Sequence, residues 1–262
     1  MIINNLYPII ANVGPFTIRW YGIFLALGIL FALILYKNLA RTSNIKLELI
    51  YDIATWLIVG GLIGARLGEV LFYNPSYYFS NPAEIIFINH GGLSSHGMTI
   101  GLLLTVLLYR KIKKVKIEQY LDLIIVPIPL LAACIRMGNY FNSEIIGKPT
   151  TLPWGVWFQR VDLEPLYRHP SQIYESLIAL SIFYFLFSIY KKHYSRLQPL
   201  YIFHLFLLTY FTTRFLIEFF KARQGIDDLW ILSMGQILSV PFILWSIWWF
   251  VSHSTYHTTR NK

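Results

Sequence analysis

Cysteine is nearly absent from this sequence: Cys134 is the only one in 262 residues. That excludes an internal disulfide and any cysteine cage for a metal, and its setting in LLAACIRMG reads as a small packed residue. Charge is also scarce, at 13% of residues against 56% hydrophobic, and the mean hydropathy is +0.52. A single water-soluble domain cannot hide so much apolar surface, so a bilayer has to serve as solvent. Acidic residues are the scarcer charge, 13 against 22 Lys and Arg, for a net +9. In a soluble protein that balance would point to nucleic acid. Here the basic residues mostly flank apolar segments, where anionic lipid and topology account for them, and nucleic acid is discarded as a partner. No segment repeats at a fixed period and no Gly/Ser-rich linker divides the chain. His90, His96 and His169 lack the HExxH spacing of a zinc protease, and there is no glycine-rich nucleotide loop. Residues 1–262 are therefore read as one domain without metal or cofactor. No basic residue precedes Arg19 and the apolar run that follows is long, so the first segment is expected to stay as a span rather than be cleaved as a signal peptide.

What the chain does have is long apolar runs. Windows near 16–36, 50–73, 93–110, 121–142, 171–190, 200–220 and 233–251 approach the roughly 20 residues that cross a bilayer core of ~30 Å. They predict an all-α polytopic membrane protein of about seven transmembrane helices. The third window opens with the polar run SSHGM and the fourth contains Pro127 and Pro129. Either is a candidate for a broken or re-entrant span, in which neighbours must satisfy the freed carbonyl groups. Lys and Arg crowd alternate loops: Lys37, Arg41 and Lys46; Arg110, Lys111, Lys113, Lys114 and Lys116; Lys191, Lys192 and Arg196; Arg260 and Lys262. The opposite side holds only Arg19, Lys148, Arg160, Arg168, Lys221 and Arg223. The bias of basic loops makes the crowded side cytoplasmic, with the N-terminus outside and the C-terminus inside. Trp20, Tyr21, Trp245, Trp248 and Trp249, near span ends, read as interfacial anchors.

Three arginines remain, Arg66, Arg136 and Arg214, and all fall inside spans. A guanidinium there is costly and usually faces the bundle interior and a partner; the bland alternative is a side chain that snorkels to the interface. All three lie in the later halves of outward-running spans, and Tyr21 and His96 lie at the beginnings of spans that start outside. Five polar side chains from five spans are thus expected to share one site at one depth, near the outer leaflet. Arg214 with Glu218 (i,i+4) and Arg66 with Glu69 (i,i+3) can meet on one helical face. Mutual neutralisation stays open as a reading, above all for the Arg66 pair. A partly dehydrated cationic pocket at headgroup depth suits phosphate, which guanidinium groups grip through paired hydrogen bonds, and phospholipid is the obvious anion. The run Arg136-Met137-Gly138-Asn139-Tyr140-Phe141-Asn142-Ser143-Glu144 adds two carboxamides and a carboxylate at a span end. Gly138 permits close backbone approach. Asn139 and Asn142 have a second reading, as caps of the helix end.

The segment RMGNYFNSEIIGKP resembles the signature of the prolipoprotein diacylglyceryl transferase family, with its Arg, Gly-Asn, Asn and Glu followed by Gly. Further likeness runs in order along nearly the whole chain: RWYGI (19–23), GARLGEVLFYNP (64–75), GGLSSHGMTIG (91–101), RHPSQIYES (168–176), RFLIEFFK (214–221) and SMGQILSVP (233–241). The chain departs from the family pattern at Met98, Ile135 and Ser143, where the family usually has Gly.

The resemblance implies a seven-helix bundle with a small outward-facing segment in the bacterial cytoplasmic (inner) membrane. It implies transfer of the diacylglyceryl group of phosphatidylglycerol to the lipobox cysteine thiol of a preprolipoprotein, releasing glycerol phosphate, with no cofactor. On this likeness Arg136 and Arg214 hold phosphate and stabilise the leaving group, while Tyr21, Asn139, Glu144 and Glu218 position the headgroup or orient the arginines. His96 is the candidate base, since imidazole exchanges a proton near neutral pH; a hydrogen bond across helices is its competing reading. Gly147 is expected to let the outward segment turn. Ser171 and Gln172, after Pro170, read as the first turn of a helix, and the likeness adds a structural or gating role for Tyr174 and Glu175. The competing class is a transporter or channel with an arginine-lined anion path. Such a path needs polar groups across the full thickness, and the inner halves of these spans are nearly bare. A structural subunit using Arg and Glu as helix glue would tolerate replacement of both members of a pair.

Overall fold

The computed structural model describes residues 2–14, 16–87, 92–222 and 231–254; His90, Arg223, Arg260 and Lys262 lie outside them. The backbone divides into two compact units, residues 1–39 with 125–262, and residues 40–124.

In the first unit, α1 (Trp20–Thr42) is followed after the intervening unit by α6 (Ile128–Asn142), α7 (Ser171–His193), α8 (Tyr201–Ile217) and α9 (Met234–Ser254). The last four pack in sequence, α6 on α7, α7 on α8 and α8 on α9. Small residues set how closely α1 meets α6. A Cβ on Gly28 would lie 2.7 Å from Leu131 and 3.1 Å from Cys134, and one on Gly138 would lie 2.9 Å from the Tyr21 ring and 3.1 Å from its Cα. Cys134 is thus the small packed residue its sequence setting implied. Short strands complete the unit. β1 (Ile2–Asn4) runs parallel to β4 (Val156–Phe158), which pairs antiparallel with β5 (Tyr167–Arg168). β2 (Ile9–Val13) and β3 (Phe16–Arg19) form a hairpin, with Gly14 at φ +57° beside the turn, a conformation glycine adopts without steric cost. The first apolar window therefore starts its helix at Trp20, because residues 16–19 alternate as a strand instead.

In the second unit, α2 (Leu47–Gly68) widens into a π-turn at Glu69–Tyr73 and is followed by the short α3 (Pro75–Ser80), then α4 (Ser95–Lys113) and α5 (Glu118–Ile125). Glycines recur every fourth residue on both long helices, at 60, 64 and 68 and at 97 and 101. They leave the two backbones in contact: a Cβ on Gly64 would collide with the Gly97 carbonyl oxygen and sit 2.6 Å from Gly101 Cα. Close approach of this kind supplies dispersion contacts where lipid removes the hydrophobic drive. Beyond the glycines, Ile53, Tyr109, Ile117 and Ile124 form a buried cluster, and Tyr109 donates to Asp52 at 2.8 Å.

Among the described residues, six segments are long and apolar enough to cross a membrane: Trp20–Thr42, Leu47–Tyr73, Tyr120–Asn142, Ser171–Arg196, Tyr201–Phe220 and Met234–His253. With α4, whose polar first turn and basic last turn dilute its apolar character, they agree with a polytopic protein of about seven spans. Of the two candidate breaks, the fourth span has one. α5 stops at Ile125 and α6 begins at Ile128, because Pro127 supplies no N–H to continue the ladder and its ring excludes the preceding turn.

Candidate functional site

In the first unit, Arg136 of α6, Glu175 of α7 and Arg214 of α8 line one cavity, walled by Ala132, Ile178, Ala179, Tyr210, Thr213 and Ile217. The two expected phosphate ligands, from spans nearly eighty residues apart, therefore share a cavity. Their surroundings differ. Arg136 Nε lies 3.2 Å from Glu175 Oε2, both largely buried. Arg214, among the described residues, makes no ion pair and no side-chain hydrogen bond.

The signature segment builds outward from Arg136. Its Nη1 reaches Asn139 Oδ1 at 3.5 Å; Asn139 Nδ2 donates to Glu144 Oε2 at 3.0 Å, and Asn142 Nδ2 to Glu144 Oε1 at 3.1 Å. Both carboxamides thus donate to one carboxylate. Tyr21, packed on Gly138, feels the charges of Glu144 and Arg136. The backbone leaves α6 through two left-handed residues, Ser143 (φ 56°) and Ile145 (φ 54°). For a β-branched residue this conformation is strained and persists only where surroundings over-determine it. Ser171 Oγ donates to the Ile145 carbonyl at 2.8 Å and Gln172 Nε2 to the Glu144 carbonyl at 2.6 Å. These first-turn residues of α7 are fully buried and aim the signature segment, a task the sequence did not reveal.

Gly147 does not turn the chain. It lies where three backbones converge, and a Cβ there would be 2.6 Å from His169 Cβ and 2.9 Å from the Phe220 carbonyl. Gly147 N donates to His169 O at 3.1 Å, Lys148 N to Phe220 O at 2.8 Å and Ala222 N to Ile146 O at 3.0 Å. This ladder carries Lys221 inward to 8% exposure. Its Nζ lies 2.6 Å from Glu218 Oε1 and 3.6 Å from Glu175 Oε1. Glu218 therefore pairs with Lys221, and accepts from Ser233 Oγ at 3.2 Å, where the i,i+4 spacing predicted Arg214. Outside the spans, Asp162 grips Arg168 through two hydrogen bonds, at 2.6 and 2.7 Å, holding its guanidinium charged, while burial pushes the His169 imidazole below its ordinary pKa.

The remaining expected site residues belong to the second unit. His96 lies in the first turn of α4, behind the Ser94 cap, whose hydroxyl accepts from Gly97 N at 3.2 Å; the His96 side chain is outside the described part. Arg66, 5% exposed, gives its guanidinium to the backbone carbonyls of Glu84, Ile85, Phe87 and Gly92 and lies 4.8 Å over the Tyr78 ring. That makes it a clamp on residues 84–87 and on Gly92. Glu69 accepts from Asn74 at 2.6 Å. Met98 is 39% exposed, with its other side near Gly61.

The model of the prolipoprotein diacylglyceryl transferase family matches residues 8–252. The chain belongs to that family. A phosphatidylglycerol–prolipoprotein diacylglyceryl transferase of Chloroherpeton thalassium is 43% identical over 243 residues, 92% of this chain and 90% of the relative. Proteins of the same name from Tolumonas auensis, 39% identical over 93% of this chain and 94% of the relative, and from Bacteroides fragilis, 37% identical over 93% and 92%, are also similar. Against the usual transferase family pattern, the left-handed position that Ser143 occupies is one a glycine would fill without strain.

Proposed function

We propose that this chain is a phosphatidylglycerol–prolipoprotein diacylglyceryl transferase acting on the lipobox cysteine of a preprolipoprotein. The observation that carries this reading is the shared cavity: one arginine tethered by a carboxylate, one without an ion pair among the described residues, and apolar walls beside both. A phosphodiester with two acyl chains matches that combination of charge and apolar surface. In the reaction, the thiol loses its proton to a base and the thiolate attacks the glyceryl CH2 next to the phosphate. A C–S bond forms, the C–O bond to phosphate breaks, and the electron pair leaves on glycerol phosphate. Arg136 and Arg214 stabilise that departing charge, an electrostatic contribution that grows as the bond breaks. Tyr21, Asn139 and Glu144 position the headgroup through the Arg136 network, and Glu218 orients the cationic side. His96 takes the thiol proton; supporting it is the match of imidazole to proton exchange near neutral pH. The whole chain acts as one transferase domain and needs no metal or cofactor. It sits in the cytoplasmic membrane with the N-terminus outside, as the basic loops direct.

The test is to supply purified protein with phosphatidylglycerol and a lipobox peptide and to follow the thioether product by mass spectrometry. A mass increase of one diacylglyceryl group on the cysteine is expected; a folded preparation that gives no product overturns the reading. An anion channel is disfavoured, because the charged cavity is confined to the middle of α6, the first half of α7 and the second half of α8.

A further inference from the structure

Lys221 has no part in the reading above, yet it is a buried ammonium between two carboxylates, 2.6 Å from Glu218 and 3.6 Å from Glu175. The backbone explains why it is there. α8 ends at Ile217 and tightens into a 3₁₀ turn over Glu218–Phe220, and in that geometry side chains three apart eclipse each other. Lys221 therefore stacks over Glu218. Glu218 N still bonds the Arg214 carbonyl, so Arg214, four residues before it, shares that helical face. Two further contacts hold Glu218 in this arrangement. Ser233 Oγ donates to its second oxygen, and Gly235 leaves room for the carboxylate, since a Cβ there would come within 2.6 Å of Glu218 Cδ.

The charges then form a line, Arg136–Glu175–Lys221–Glu218, alternating in sign and neutral as a set. Arg214 stands outside it, on the cavity and without an ion pair among the described residues. If Lys221 were absent, the nearest cation on the same helical face for Glu218 would be Arg214, and their pairing would cancel the charge offered to a phosphate.

We infer that Lys221 is a positioning residue that occupies Glu218 and Glu175 so that Arg214 stays uncompensated for the phosphate of the lipid. The inference rests on the phosphate reading of the cavity and adds a residue that never touches substrate.

The experiment compares wild type, K221M, K221R and K221M/E218Q in two assays: turnover with phosphatidylglycerol and a lipobox peptide, and equilibrium binding of dioctanoyl phosphatidylglycerol by calorimetry. K221M is expected to weaken lipid binding and raise KM for the lipid by at least about tenfold, the range of one charge-assisted contact, with a smaller change in kcat. K221R keeps the cation and stays near wild type. K221M/E218Q removes the released carboxylate but keeps a hydrogen-bonding amide, and is expected to recover most of the lost affinity. A purely structural lysine predicts the opposite, a double variant no better than K221M, and that result overturns the inference. So does K221M with wild-type affinity. If K221M does not fold, the double variant, which has no orphaned Glu218 charge, decides by its own affinity: near wild type sustains the inference, a tenfold loss ends it. A wild type that binds lipid without turnover, with the same pattern across variants, would sink the transferase reading and leave this one standing.

Discussion

A guanidinium tethered by a buried carboxylate and one with no ion pair among the described residues respond differently to the same truncation. Arg136→Ala strands Glu175 with one cation instead of two, and breaking a buried pair costs about 3–5 kcal/mol. It is expected to abolish transfer and also to lower the melting temperature, with the protein still inserted; retained activity would remove Arg136 from the phosphate role. Arg214→Ala loses no ion pair among the described residues, so it is expected to cut transfer by about 10²–10³ while leaving the melting temperature nearly unchanged. Assaying both variants for thioether product and thermal unfolding separates the two. Ser143 invites a substitution in the other direction. Its left-handed backbone costs about 1 kcal/mol, roughly what glycine would lose in chain entropy. Its hydroxyl, however, is buried without a hydrogen bond among the described residues, a burden of about 1–3 kcal/mol. Ser143→Gly is therefore expected to stabilise by about 1 kcal/mol in thermal unfolding. Arg136, Arg214, Asn139 and Glu144 were legible in the sequence because polar groups interrupt apolar runs there. Glu175 was reached only through the family likeness, and the place of Lys221 was not legible, because its burial comes from a ladder joining residues 146–148 to 220–222, which no local pattern announces.

The helices were legible for the same reason that their lipid faces are still visible: Leu103, Leu104, Leu107 and Leu108 of α4 remain exposed, as bilayer-facing side chains should. The glycine contact between α2 and α4 makes a sharp demand of its own. Gly64→Leu would drive four carbons into the Gly97 carbonyl and Gly101 Cα, and overpacking of this kind costs typically about 1–3 kcal/mol or more. Lower yield and earlier thermal unfolding than for Ile58→Leu, on the exposed side of the same helix, are the expected results. Pro127 and Pro129 flagged the interrupted span, and the break fell at Pro127 alone, since Pro129 sits within the first turn of α6, where its missing N–H costs nothing. The strands escaped sequence reading because each has five residues or fewer and its partner is distant or out of phase with the apolar window.

Basic residues give the whole molecule its expected topology, which reporter fusions or cysteine labelling at the loops will check. Labels at residues 44, 114 and 195 are expected to be protected from an impermeant reagent in intact cells, and a label at residue 163, where Leu163 is 96% exposed, to react; the reverse pattern would invert the orientation. That orientation was read from loop charge, whereas the division into two compact units has no counterpart in composition. The parallel pairing of β1 with β4, reinforced by Asn4 Nδ2 donating to the Tyr140 carbonyl at 3.1 Å, sets a timetable for biosynthesis. Residues 2–4 emerge from the ribosome well before their partner at 156–158, which follows about 150 residues later, a wait of about 8–30 s at ~5–20 residues per second. Throughout that interval the early strand is an open edge that a translocated chaperone could hold or a protease could trim.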